Sequence, residues 1–153
     1  MKKQFFLIIL LSCFSFIAFG QHQNAEKEIE QVIESLFQGM KNKNQQVLES
    51  AFHDEAIMHT VAVSPDGTQL GANTVKEFIN RIAVTPTETI LDERIQSYHI
   101  KVDGDMASAW TPYRFYVNDG FSHCGVNSFQ LIRIDGQWKI TYVIDTRRKD
   151  NCD

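Results

Sequence analysis

A chain of 153 residues, 43% hydrophobic and 22% charged, is long enough for one domain around a single core, and its aromatic content argues against disorder. A formal charge of −4 leaves no reason to expect nucleic acid as a partner, which would need a basic stripe. Residues 1–20 differ in kind from the rest. Lys2 and Lys3 precede an apolar run over 5–19 broken only by Ser12 and Ser15, with small residues Ala18 and Gly20 at signal-peptidase spacing. The expectation is a signal peptide over 1–20, a single domain over 21–153, and a secreted or periplasmic protein with no membrane contact after cleavage. The rival readings are a membrane anchor, which needs roughly 20 apolar residues, and lipidation at Cys13 in Leu10-Leu11-Ser12-Cys13.

From Asn24 the chain reads as helix. Ile29, Val32, Ile33, Leu36, Phe37 and Met40 recur at three and four, while Glu26, Glu28, Glu30 and Glu34 fill the other face. Asn42-Lys43-Asn44 interrupts that period, and Asn44 is placed to cap a short second helix burying Val47, Leu48, Ala51 and Phe52. His53-Asp54-Glu55 would end it, with a strand over 56–63. Ser64-Pro65-Asp66-Gly67 is a turn sequence, and residues 68–70 a brief return strand. Thr74 and Glu77 form a capping box for a third helix that buries Val75, Phe78, Ile79 and Ile82 and stops at Pro86.

After Pro86 the period changes to two. One long strand over 88–102, then strands over 106–117, 121–134 and 137–148, are joined by Asp103-Gly104, Asn118-Asp119-Gly120 and Asp135-Gly136. A two-residue turn at Asp135-Gly136 sets Ile134 opposite Gln137, and hence Phe129 opposite Tyr142, Asn127 opposite Ile144 and Cys124 opposite Arg147. The apolar face then carries Asn127, Phe129 and Leu131 with Ile140, Tyr142 and Ile144. Tyr113 and Phe115 join it from one strand, and Arg94, Gln96, Tyr98 and Ile100 from another. Pro112, without an N–H, implies a bulge or an edge. Asp145 and Arg147 fall on the wetter face, where Arg147 could pair with Asp145 or with Glu93; with Arg148 they read as a surface ion network, or else as an anion site at the mouth or a dimer contact. Cys124 and Cys152 remain after loss of the leader; four residues separate Arg147 from Cys152, so a disulfide pinning the tail is favoured over two unrelated thiols.

This element order resembles the nuclear transport factor 2-like superfamily, in the SnoaL-like and lumazine-binding-like branches of exported bacterial proteins. The resemblance rests on Phe52-His53-Asp54-Glu55-Ala56, Asp66-Gly67 and Asp135-Gly136-Gln137-Trp138-Lys139-Ile140. It implies an α+β fold: a cone-shaped, curved antiparallel sheet, made of a four-strand meander plus a short N-terminal hairpin, wrapped around three helices. The fold hosts enzymes, binding proteins and assembly modules alike. The superfamily's ketosteroid isomerases use a carboxylate base on the first strand; aligning Asp54-Glu55-Ala56 on that pattern puts Thr60 there, which cannot act as a base. His59 beside it is the catalytic candidate, weighed against a plain structural histidine.

The leading expectation is a small molecule bound in an aromatic-lined interior by Tyr98, Tyr113, Asn127, Phe129 and Tyr142, with Trp110 or Trp138 at the rim. The same aromatics could instead serve only as packing. His53, Asp54 and Glu55 read as a helix end rather than a metal cluster, no metal-ligand spacing joins the histidines, and no cofactor fingerprint is present. An isomerase, cyclase or dehydratase using His59 is the alternative. A third reading is a homodimer through the exposed sheet face, with Val126, Val143, Ile95 and Trp110 in the contact.

Overall fold

The computed structural model describes residues 24–64 and 67–152. The signal peptide expected over 1–20, and Pro65-Asp66 of the first turn, lie outside the described residues. Helix α1 spans 24–41, and Asn44 then caps α2 (Gln45–Ala51), its side chain accepting from the Val47 N–H at 3.2 Å. Strand β1 (Phe52–Ser64) starts directly after α2, four residues earlier than the polar His53-Asp54-Glu55 run implied. Its partner β2 (Gly67–Thr74) is correspondingly longer than expected. Thr74 and Glu77 close a complete capping box on α3 (Val75–Ala83).

The region expected as one strand over 88–102 is two, β3 (Leu91–Ile95) and β4 (His99–Asp103), both pairing with β5 (Met106–Val117). The meander continues through β6 (Gly120–Ile134) and β7 (Gln137–Thr146). The sheet runs β2-β1-β7-β6-β5-β3, with β4 beside β5. Its junction of β1 with β7 is parallel, so the curved, unclosed sheet is mixed rather than wholly antiparallel. Asn118 and Asp119 both adopt positive φ, as do Asp135 and Gly136, which is the type I′ geometry matching strand twist in two-residue hairpins.

One sheet face receives the helices. The buried stripe Ile29, Ile33, Leu36 and Met40, with Leu48, Ile79 and Ile82, packs on Ala107, Ala109, Phe129, Leu131, Trp138, Ile140 and Val143. Phe37 meets Phe129 edge-on at 6.4 Å.

Two departures from simple pairing decide what this inner face carries. The β6–β7 register begins as the hairpin dictates, with Ile134 opposite Gln137 and Leu131 opposite Ile140. It then shifts by one, so that Gln130 faces Tyr142, Phe129 faces Val143 and Asn127 faces Asp145. Thr141 is the extra residue, and its hydroxyl donates to the Gln130 carbonyl at 3.2 Å where the ladder is interrupted. Because side chains alternate, everything beyond the bulge changes face. Val143 and Asp145 turn inward, and Tyr142 and Ile144 turn outward.

The second departure lies at Pro112. Its carbonyl accepts from the Gln96 N–H at 2.8 Å, so its ring nitrogen faces the same neighbour and can return no hydrogen bond. There the neighbouring strand breaks. Ile95 pairs with Tyr113 on one side and His99 with Trp110 on the other, an offset of one residue. Glu93, opposite Phe115, therefore takes the inner position that unbroken alternation from Ile100 would give to Arg94.

Beyond the bulge, Cys124 exchanges backbone hydrogen bonds with Arg148, not Arg147, each at 2.9 Å. The Cys124–Cys152 disulfide is formed and holds the tail against β6.

Candidate functional site

Glu93 from β3, Tyr113 from β5, Asn127 from β6 and Asp145 from β7 converge on the inner face, with Arg147 just past the end of β7. Asn127 is buried, and its amide donates to Glu93 Oε1 at 2.7 Å. The other Glu93 oxygen has no protein partner among the described residues. The residue keeps some exposure, and its carboxyl lies where two adjoining cavities meet. Burial, reinforced by the charge of Asp145 and opposed by the Asn127 hydrogen bond and by Arg147, pushes that carboxyl up to about 8.

Asp145, 9% exposed, accepts from Arg147 Nε at 2.8 Å and, at a long 3.4 Å, from the Tyr113 hydroxyl. That hydroxyl donates principally to the Thr146 carbonyl at 2.9 Å. Burial first, then the charges of Glu93 and Asp145, raise the Tyr113 phenol well above its ordinary value. Burial opposes the Arg147 charge, yet the hydrogen bond to Asp145 and the nearby acids raise its pKa overall. The close approach of Tyr113 and Thr146 requires glycine at 125. A Cβ there would collide with the Thr146 carbonyl oxygen and sit 2.9 Å from Tyr113 Cε1.

Two adjoining cavities open onto this group. A narrow inner pit of about 80 Å³ reaches Phe37, Met58, Asn127, Phe129 and Val143. A wider vestibule of about 560 Å³ adds Ile82, Leu91, Tyr113, Phe115 and His123. Met40, Thr60, Asn73, Phe78, Arg81, Glu93, Asp145 and Arg147 border both. His123 lies 4.9 Å from the Phe115 ring and meets Tyr113 edge-on. Its removal from water, aided by Arg147 and opposed by Asp145, lowers its pKa.

The expected site residues divide. Tyr113, Asn127 and Phe129 are on the cavity side. Tyr98 packs at the edge of the core, where burial and the nearby Glu34 and Glu30 push its phenol up to about 12, but it borders neither cavity. Trp110 is on the outer face and 52% exposed. Trp138 is buried in the core, its indole N–H donating to Glu28 at 3.2 Å. Tyr142 is turned outward by the Thr141 bulge, and there its hydroxyl meets His59 Nδ1 at 3.1 Å. His59 borders the inner pit, yet its ring pairs with Tyr142 while Met58 and Thr60 take the inward positions of β1. The histidine is therefore directed away from Glu93 and Asp145. Of the residues expected at a dimer contact, Val143 is instead in the core, Ile95 shares the inner register position with Tyr113, and Trp110 remains exposed.

Asp145 and Arg147, expected with Arg148 as either a surface ion network or an anion site at the mouth, border both cavities, whereas Arg148 borders neither. Glu93, read only as an alternative partner of Arg147, and Arg81 are the site residues that sequence reasoning did not select. The available signal was Leu91-Asp92-Glu93-Arg94-Ile95, where alternation puts a carboxylate between two apolar neighbours.

Three helices on one face of a curved, unclosed mixed sheet, with a polar group at the open end of the core, define a nuclear transport factor 2-like protein. The family described as "Putative lumazine-binding" matches residues 24–142, and the chain belongs to that family. No curated protein matches the sequence. Similar solved structures include a protein of unknown function from Mycobacterium tuberculosis (TM-score 0.68, 13% identity, covering 85% of this chain and 75% of that one). Another is a nuclear transport factor 2-like protein of unknown function from Shewanella baltica (0.62, 18%, 83% and 96%). A third, from Streptomyces avermitilis, is described as a "putative dehydratase" of the same family (0.63, 13%, 82% and 97%). At these identities the likeness is one of fold.

Proposed function

We propose that the protein binds a small organic molecule in the joined cavities. Glu93 and Asn127 read its polar edge, and Met40, Phe78, Leu91 and Phe115 enclose its apolar body. One observation carries this reading: a hydrogen-bonded carboxyl–amide edge with an unused oxygen borders an open space of about 560 Å³, a volume in the range of ligand sites. The family description makes lumazine a natural first probe. The disulfide and the proposed leader fit action in an oxidising compartment outside the cytoplasm.

The test is a thermal-shift screen followed by calorimetry, using lumazine, aromatic carboxylates and carboxamides, and sterols. A hit should bind N127A at least about tenfold more weakly, the cost of a lost buried hydrogen bond to a charged or polar partner. It should bind K101A, altered at an exposed β4 position that borders neither cavity, unchanged. Absence of any stabilising compound, or equal losses in N127A and K101A, would remove the reading.

A second reading, acid–base chemistry of isomerase or dehydratase type, is favoured by the Glu93 carboxyl that keeps its proton near neutral pH within a cavity. It transfers to Glu93 the role first expected of His59. Exchange of deuterium from solvent into a bound ligand, present in the parent protein and absent in E93Q, would be its signature; equal exchange in both would end it. A homodimer through the outer face, with Trp110 and Ile57 exposed there, is read directly by light scattering. A monomer at all concentrations would dispose of it.

A further inference from the structure

Arg81 and Arg147 reach the cavities from opposite directions, one from α3 and one from the end of β7, and both border pit and vestibule. Each guanidinium touches a side chain on the floor of the β1–β2 hairpin. Arg81 Nη1 donates to Asn73 Oδ1 at 3.0 Å, and Arg147 Nη2 lies 3.5 Å from Thr60 Oγ1. Asn73 is opposite Met58, and Thr60 is opposite Gly71. Asn73 and Thr60 are thus diagonal neighbours on one sheet face, about 7–8 Å apart by strand geometry. Both guanidinium groups consequently border the same stretch of the cavity rim.

Their charges are unequally answered. Asp145 takes the Nε of Arg147, and among the described residues its terminal nitrogens have the long contact to Thr60. Arg81 has a neutral amide as its hydrogen-bond partner; the nearest acid acting on it, Glu77, is engaged by Thr74 in the capping box. Glu93 adds no negative charge while protonated, and burial also disfavours a charge on His123. The vestibule lining therefore carries an excess of positive charge at neutral pH.

Building on the binding reading above, we infer that the ligand is a small organic carboxylate. Its acid group is held between Arg81 and Arg147, and its apolar body extends along Met40, Phe78 and Phe115 toward the Glu93–Asn127 edge. Planar guanidinium forks suit a carboxylate's two oxygens, and hydrogen bonds between ionised partners are stronger than those between neutral ones.

The test uses matched probes: benzoate, phenylacetate and 2-naphthoate, each beside its carboxamide and methyl ester, titrated calorimetrically into the parent protein and R81Q. At least one acid should bind about tenfold or more tightly than its neutral analogues, as expected for a charge-assisted pair. R81Q should erase that preference, bringing the acids' affinities down to those of the neutral analogues, and the preference should weaken with added salt. If carboxamides and esters bind the parent protein as well as the acids do, the carboxylate assignment falls and the cavity reading stands. The assignment falls in the same way if R81Q keeps the acid preference. If no probe of either kind binds, and lumazine and sterols do not bind either, both are overturned.

Discussion

The Glu93 carboxyl makes stability depend on pH in a direction opposite to that of ion-paired carboxylates. Folded, it holds its proton up to about 8, against an ordinary value of 4.5. Between those values the native state binds more protons than the unfolded chain, so stability falls as pH rises through the window. At about 1.4 kcal/mol per unit, the whole separation is worth at most about 5 kcal/mol, and water in the adjoining cavity reduces this to roughly 1–3 kcal/mol. E93Q keeps the shape and the oxygen that accepts from Asn127 but cannot ionise. His123, whose pKa is lowered, contributes the opposite slope below about 6.5 in both proteins, and Asp92 does so only below its ordinary value of 3.8. Burial there is outweighed by hydrogen bonds from Arg94 and Lys41, which hold its pKa down. The informative quantity is accordingly the difference between the two unfolding profiles. Urea titrations at several pH values from 5 to 9 should show E93Q gaining on the parent by roughly 1–3 kcal/mol from the acid to the alkaline end. Parallel profiles would mean that Glu93 ionises freely, and the argument for a buried neutral carboxyl would be wrong.

Other perturbations probe the frame around the site. G125A forces a methyl group against the Thr146 carbonyl and the Tyr113 ring; unfolding titrations should show a loss above about 3 kcal/mol, and a loss below about 1 kcal/mol would contradict the close crossing. C152S opens a cross-link spanning 28 residues, for which loop entropy gives about 3–4 kcal/mol; an unchanged midpoint would show that the tail is held by other contacts. T111V removes a fully buried hydroxyl that has no hydrogen-bond partner among the described residues. It should be neutral or stabilise by about 1 kcal/mol, whereas a clear loss would reveal a partner such as bound water.

Local chemistry makes much of the fold legible in advance. The α1 stripe, the Asn44 cap, the Thr74–Glu77 capping box and the Asp135-Gly136 turn are each written within a few neighbouring residues, and each is found. The Cys124–Cys152 bond is legible too, even though Cys124 pairs with Arg148 rather than Arg147, because one residue of offset leaves the sulfurs within reach. The start of β1 is not, because His53-Asp54-Glu55 looks like a loop, while an edge-proximal strand tolerates charges that point to solvent.

By itself, then, the chain determined its helices, its turns and the order of its strands, since those are set by interactions between near neighbours. What only tertiary structure decided is which side chains face one another across the interior. Alternation carries a single slip to every later residue, so the extra Thr141 exchanges Tyr142 for Asp145, and the break opposite Pro112 puts Glu93 rather than Arg94 inside. Neither slip is encoded at the residues it moves. Each arises from the fit between two strands that meet only when the sheet has formed, and for that reason the polar group at the cavity is a property of the assembled sheet.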